Sequence, residues 1–387
     1  MKKQILIVFT GAMELGGIER SLIGLLDTID YSKYDVDLFL YACRGPLYND
    51  INKNVNILPE VKELSYLRNS LSDKIKHGCY YSTFLRIIDE IKSKFVYVNH
   101  DNTWKKIMLK CAPLLEKHYD VAISFFLPFD YIKHKVSASK KLGWVHTDYK
   151  GEKHDKKTLI NEYESIDHII AVSESCKNSF TDLFPQFSNR ISVIENILSK
   201  KHIIEMSHEF SPIEFKQSTI NLLSIGRFCT AKNFDNIPEI CKLISEKGLN
   251  IKWYLIGFGA DERLIKEKIA EFKMEDHVII LGKKENPYPY IKACDAYIQP
   301  SRYEGKCVAV REAQILEKPV IITNYTTAPS QLKDGYDGVI VPMDNYACAE
   351  GIYKVLTNKD LIQKLSYNCS QNDYTNSSEI NKLYNLI

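Results

Sequence analysis

In the stretch PSRYEGKCVAVREAQILEKPVIITN, residues 300–324, two carboxylates, Glu304 and Glu312, flank the point where an apolar run gives way to a helical pattern. Carboxylates there can accept hydrogen bonds from the hydroxyls of a ligand lying against the helix start. If the helix begins near Cys307, Glu304 lies in the loop before it and Glu312 projects from its second turn. At roughly 100° per residue, eight helical steps leave the two about 80° apart. They would therefore reach different portions of one ligand. The N–H groups around Lys306, Cys307, Val308 and Ala309 point at whatever precedes the helix, a place that favours anions. Upstream, NLLSIGRFCTAKN ends an apolar run at Gly226 and delivers Arg227 and Lys232. A planar guanidinium fork and a mobile ammonium suit a diphosphate. A diphosphate with hydroxyl-bearing ends describes a nucleotide-sugar.

Other run ends carry polar or glycine residues as well: Gly257-Phe258-Gly259 in KWYLIGFGADERL, Gly16-Gly17 in QILIVFTGAMELGGIERSL, and His146 in KLGWVHTDY. Each has a bland reading. A glycine pair before a helix is often a plain turn, GFG lacks the third spaced glycine of a dinucleotide fingerprint, and a lone histidine is often structural. Arg227 and Lys232 could be solvated loop charges, and the two glutamates a cap and a helix-surface acid. Their joint occurrence at strand ends favours the chemical reading.

The elements that must position these residues are short apolar runs separated by helical segments. QILIVF, VDLFLY, NVNILP, VAISFF, KLGWVH, HIIAVS and ISVIEN fall in the first half, and NLLSIGR, KWYLIG, HVIILG, DAYIQP, PVIITN and GVIVPM in the second. Such runs read as parallel strands covered on both faces. Thirteen strands are many for one sheet, and 387 residues are many for one core. The expectation is α/β architecture with two Rossmann-like doubly wound domains facing each other across a cleft. The first would span 1–198 and the second 199–365, divided near the polar stretch 196–220. A C-terminal helix, 366–387, could pack back on the first domain. Ligands of such sheets bind beyond the carboxyl ends of the strands.

The interval 60–118 shows no convincing strand. Its segments VKELSYLRNSLSDKIKHG, YYSTFLRIIDEIKSKF and NTWKKIMLKCAPLLEKH carry apolar residues near helical spacing, with lysines and arginines in excess of acids. It reads either as a solvated helical insertion or as a basic surface for anionic lipid headgroups. The whole chain carries +2, so the rest is slightly acidic, and the basic footprint of a nucleic-acid binder is missing. Ten cysteines show no C-x-x-C or zinc spacing and fit buried thiols in a reducing cytoplasm. The start MKKQILIVFTG has too short an apolar run for a signal peptide, and no stretch is long enough to span a bilayer. A cytoplasmic protein, at most peripheral on the inner face of the cell membrane, is expected.

These motifs resemble the family-4 retaining glycosyltransferases of the GT-B fold. The resemblance rests on E-x7-E after a strand, GR-x4-K after the first strand of the second domain, and GG in the first loop. YEGKCVAVREAQILEKPVIITNY is similar in particular to bacterial enzymes that build capsular and other surface polysaccharides. The resemblance implies that Glu304 binds donor-sugar hydroxyls, Glu312 the ribose, and Arg227 and Lys232 the diphosphate. It places His146 beside the transferred sugar and Gly16 and Gly17 near the phosphates and acceptor. Backbone around Gly257, Phe258 and Gly259, and around Gly282, Lys283 and Lys284, would contact the base. It implies transfer of a hexose or N-acetylhexosamine, most readily UDP-linked, to a saccharide or lipid-linked glycan, with retention and no essential metal or other cofactor. The sequence departs from the family's E-G-F-G-L turn, having Lys306 and Cys307 in place of Phe and Gly. Lys306 could add charge at the donor site, and Cys307 could narrow the turn. The competing readings are a nucleotide-sugar epimerase of similar shape and a non-catalytic partner subunit. A dehydrogenase is disfavoured, because neither half carries G-x-G-x-x-G after its first strand.

Overall fold

The computed structural model describes residues 2–93, 100–146, 149, 156–216 and 218–387. Each of the thirteen apolar runs overlaps a strand. The first seven are β1 (Lys3–Phe9), β2 (Tyr34–Leu40), β3 (Asn56–Ile57), β4 (Leu115–Ser124), β5 (Val136–Val145), β6 (His168–Ala171) and β7 (Ile191–Val193). They form one parallel sheet in the order β3-β2-β1-β4-β5-β6-β7. The remaining six are β8 (Ile220–Ile225), β9 (Ile251–Ile256), β10 (Val278–Gly282), β11 (Ala296–Gln299), β12 (Val320–Thr323) and β13 (Val339–Val341). They form a second parallel sheet, β10-β9-β8-β11-β12-β13. Helices cover the faces of parallel sheets, so both faces can be apolar. Successive residues of β8 show it: Leu222 packs in one core with Trp253, Leu255 and Ile298, and Leu223 in another with Tyr254, Tyr297 and Val320.

The chain divides into two compact units, one of residues 1–197 with 377–387 and one of residues 198–376. In the C-terminal stretch, the helix Lys359–Ser370 belongs to the second unit and buries Leu365 and Cys369 there. The helix Ile380–Leu386 belongs to the first unit. Its Ile380 and Leu383 join the first core, Tyr384 stacks on Tyr34 at 4.9 Å, and the Tyr384 hydroxyl accepts the Asp30 N–H at 2.8 Å.

The interval 60–118 departs from expectation in two ways. Helices cover Lys62–Ser65, Leu71–Lys76, Tyr80–Ser93 and His100–Cys111, but β4 begins at Leu115, inside the segment read as helical. Glu116, Lys117 and His118 are exposed, and burial becomes regular only from Val121 onward. A strand that overhangs its covered core has no need of apolar residues, so its first half carries no apolar signal. The lysines are also not a uniform surface set. Lys74 is buried, which lowers its pKa. Lys105 is paired with buried Glu162 and lies 3.9 Å from Asp130. The helix Tyr80–Ser93 exposes apolar side chains: Tyr80, Phe84, Ile87 and Ile91 are solvent-facing while Ser82 and Thr83 are buried. That spacing of 4, 3 and 4 residues is a single helical stripe. Lys94 of the basic set lies outside the described residues.

Candidate active site

In the second sheet, strand order runs outward from the β8/β11 pair in both directions. Such a reversal opens a crevice beyond the carboxyl ends of the two strands. The loop carrying Arg227 and Lys232 follows β8 and the loop carrying Glu304 follows β11, so topology makes them neighbours. The two loops are also fastened together. The Arg302 N–H donates to the Ala231 carbonyl at 2.8 Å, and Asn233 Nδ2 donates to the Pro300 carbonyl at 2.9 Å. The Arg302 guanidinium forks onto Asp235 at 2.9 and 2.7 Å and donates to the Thr230 carbonyl at 2.7 Å. A bidentate pair of this kind fixes orientation as well as distance.

That fastening sets Lys232 against Glu304. Lys232 Nζ donates to Glu304 Oε1 at 2.6 Å, with the lysine side chain 19% exposed and the glutamate 11%. Burial alone would depress the lysine's pKa, but the Cys307 sulfur and Glu304 carboxylate nearby raise it overall. Burial pushes the Cys307 thiol up to about 11, so at neutral pH it is uncharged and Glu304 is the effective counter-ion. Ser301 Oγ also donates to Glu304 Oε1, at 2.6 Å, and Gln299 Nε2 approaches it at 3.5 Å. Among the described residues Oε2 of the same carboxylate accepts no hydrogen bond. One oxygen is thus committed to the protein and the other is available to a ligand.

Arg227 is exposed, and among the described residues its guanidinium has no hydrogen-bond partner. Its backbone is nevertheless fixed on both sides. The Gly226 N–H donates to the Ile256 carbonyl at 3.0 Å and the Phe228 N–H to the Phe258 carbonyl at 2.9 Å. This close approach of two strand-end loops explains the glycines of GFG. At φ +154, a Cβ on Gly257 would lie 1.9 Å from the Gly226 carbonyl oxygen. The Gly257 N–H continues the stitching to the Gly282 carbonyl at 3.0 Å. Phe258 is solvent-facing, with Lys283 Nζ 5.6 Å from its ring centroid.

The helix Val308–Ile315 begins directly after Cys307. Its N-terminus is less open than expected. Gln331 Oε1 accepts the Cys307 N–H at 2.8 Å, and Gln331 Nε2 donates back to the Cys307 carbonyl at 3.2 Å. The Cys307 amide is therefore committed to the protein, and Ala309 is buried with it. Thr327 Oγ1 donates to the Glu304 carbonyl at 2.8 Å, tying the loop to the same neighbouring segment. Lys306 Nζ donates to the Ser330 carbonyl at 3.0 Å. Glu312 is fully buried and accepts the Tyr288 hydroxyl at 3.0 Å, so its carboxylate does not reach the surface.

Three expected site residues lie in the first unit. Gly16 is the N-cap of the helix Gly17–Thr28, where a Cβ would meet Glu19 Oε2 at 2.1 Å. His146 follows β5, its ring 5.0 Å from that of Phe125, and Nε2 meets the Phe125 carbonyl at 2.9 Å. That contact requires a proton on Nε2, which leaves Nδ1 as an acceptor in the neutral ring. Burial lowers the His146 pKa to about 4, so the neutral ring is the form present near neutrality.

Residue-type reasoning missed the groups that hold the site: Gln299, Ser301, Arg302, Thr327 and Gln331. A polar residue inside or just after a buried strand was the available signal for the first two. Among the described residues no group of three His, Cys, Asp or Glu side chains could hold a metal ion.

Comparison with known proteins assigns part of the chain to a domain family. Residues 207–372 match the model of glycosyl transferases group 1. A glycosyltransferase of unassigned specificity from Methanocaldococcus jannaschii is 24% identical over 64% of this chain and 60% of its own length. The capsular polysaccharide biosynthesis glycosyltransferase CapM of Staphylococcus aureus is 27% identical over 52% of this chain and 55% of its own. The chain thus spans roughly half to three fifths of the length of the curated relatives it matches. Among solved structures, S. aureus TarM bound to fondaparinux, alpha-GlcNAc-glycerol and UDP matches with TM-score 0.69 at 16% identity, covering 100% of this chain and 99% of that one. Anabaena HepE bound to UDP-glucose matches with TM-score 0.67 at 14% identity, covering 99% and 100%. These likenesses fix the fold as GT-B. Residues 207–372, nearly all of the second unit, are a glycosyl transferases group 1 domain.

Proposed function

We propose that the protein transfers a hexose or N-acetylhexosamine from a nucleotide-sugar, most readily a UDP-sugar, to a saccharide or lipid-linked glycan in surface polysaccharide biosynthesis. The observation that carries this reading is the Lys232–Glu304 pair at the β8/β11 switch point, with one carboxylate oxygen open and Arg227 held beside it in sequence. UDP in TarM and UDP-glucose in HepE, proteins of the same fold, support a UDP-linked donor. CapM supports the polysaccharide setting.

The chemistry follows from charge. Breaking the sugar–phosphate bond builds negative charge on the departing diphosphate, and preorganised cations lower that barrier. Lys232 and Arg227 supply them, and Glu304 Oε2 accepts sugar hydroxyls. In this reading retention follows attack on the face of departure, with a diphosphate oxygen taking the acceptor's proton. The cations serve where a divalent metal otherwise would, so chelator should leave turnover unchanged. Incubating the protein with a panel of nucleotide-sugars and measuring nucleotide release, with and without saccharide acceptors, tests the proposal. Release that never rises with any acceptor would favour an epimerase.

A membrane-bound acceptor is supported by the exposed apolar stripe of the helix Tyr80–Ser93. Tyr80 and Phe84 with Ile87 and Ile91 along the same face suit a helix lying at an anionic lipid surface.

A further inference from the structure

The strand β11 carries an unusual load. Its alternate residues Ala296 and Ile298 pack in one apolar core, as period-two alternation requires. The opposite face presents Tyr297 and Gln299, and Ser301 continues the row just past the strand end. All three polar side chains are fully buried. Burying polar groups is costly unless each finds a partner, and here each does. The Tyr297 hydroxyl donates to Gln299 Oε1 at 2.7 Å, Gln299 Nε2 donates to Ser301 Oγ at 2.9 Å, and Ser301 Oγ donates to Glu304 Oε1 at 2.6 Å.

The direction of this row is forced. An ionised Glu304 only accepts, so the single Ser301 proton must go to it. Ser301 Oγ must then accept from Gln299, which turns the amide nitrogen toward Ser301 and its oxygen toward Tyr297. We propose that Tyr297, Gln299 and Ser301 are positioning residues: a one-way hydrogen-bond row that locks Oε1 of Glu304 and thereby presents Oε2 to the donor sugar. The inference rests on the reading of Glu304 given above and adds residues that never touch the ligand.

Gln299→Glu tests it, because it keeps the shape and puts a titratable group where the amide donor stood. At about pH 8 the introduced carboxylate takes the Ser301 proton and leaves Glu304 facing a lone pair. At about pH 5.5, burial having raised its pKa, the introduced acid is protonated and donates as the amide did. Relative to wild type, nucleotide release from UDP-glucose or UDP-N-acetylglucosamine should fall roughly tenfold in kcat at the higher pH and recover to within about threefold at the lower. UDP affinity by calorimetry should hold throughout. Ser301→Ala should lose about tenfold at both pH values, since nothing is left to reprotonate. Crystals of Gln299→Glu at the two pH values give a readout independent of turnover: the Ser301–Glu304 contact should be broken at the higher and restored at the lower. A variant ratio that does not change with pH, or a Glu304 carboxylate that stays on Ser301 in both crystals, would overturn the row. If Glu304→Ala remained active, the reading of Glu304 itself would fail; if it were dead while Gln299→Glu behaved as wild type, only the row would.

Discussion

Removing one or the other partner of the Lys232–Glu304 pair should have different consequences for the nucleotide. In Glu304→Ala the ammonium loses a carboxylate at 2.6 Å, and the Ser301 hydroxyl loses its acceptor. One-sided removal from a fully buried pair costs about 3–5 kcal/mol. With these side chains 19% and 11% exposed, water can reach part of the vacated site, so about 2–3 kcal/mol is the better figure. For a domain of this size that lowers Tm by roughly 5–10 °C. Transfer should drop by about 10²–10³, yet UDP affinity should stay within about threefold, because the freed ammonium can turn wholly to the diphosphate. Lys232→Met should destabilise less, since Glu304 keeps Ser301 and Gln299, but it should weaken UDP by about tenfold or more. In the double variant the stability losses should be less than additive. Thermal unfolding, UDP calorimetry and nucleotide release on the three proteins decide the matter. Equal loss of UDP affinity in Glu304→Ala and Lys232→Met would refute the division of labour between sugar and diphosphate.

Two further outcomes are expected. The His146 pKa lies below its unfolded value, so the unfolded chain takes up a proton that the folded one refuses as pH drops. The contribution of His146 to stability should therefore be constant above about 6.5 and fall as pH goes from there toward about 4; a His146→Gln variant should show a shallower acid decline in Tm than wild type. In the first unit, Phe84→Ser with Ile91→Ser should reduce sedimentation with phosphatidylglycerol vesicles while leaving Tm within about 2 °C. An unchanged vesicle fraction, or a concentration-dependent dimer that the substitutions abolish, would assign the stripe to something other than lipid. Charge reversal at Lys105 is a poor probe of the membrane, since it would leave buried Glu162 without its cation.

Much of the architecture could be read from residue type because parallel strands covered on both faces must be apolar throughout, as in Ile5–Phe9 or Val320–Ile322. The same rule explains what could not be read. The first half of β4 overhangs its cover and is polar, so LLEKH imitates a helix. Lys74 and Lys105 look like surface charges because nothing local announces a buried acid such as Glu162, separated from Lys105 by 57 residues. The site followed the same division. Arg227, Lys232 and Glu304 stand at strand ends that the apolar runs mark, whereas the groups that aim them act over long separations or from inside a strand.

Cys307 shows how far a motif can carry. Glycine at this place in the family pattern suggests a turn that only glycine can make, so a cysteine should crowd it. Here Cys307 has φ −79 and ψ 110, an ordinary extended conformation open to any residue. The turn therefore does not demand glycine, and what matters is where the side chain goes. It is buried in the core that holds Tyr297 and Val310, with Lys232 Nζ 3.9 Å from its sulfur, while both backbone polar groups are held by Gln331. The side chain therefore packs into the core and against Lys232. A thiol that burial keeps uncharged adds no second counter-ion for the ammonium, so at neutral pH the ionic partner of Lys232 is Glu304 and the thiol packs against the lysine.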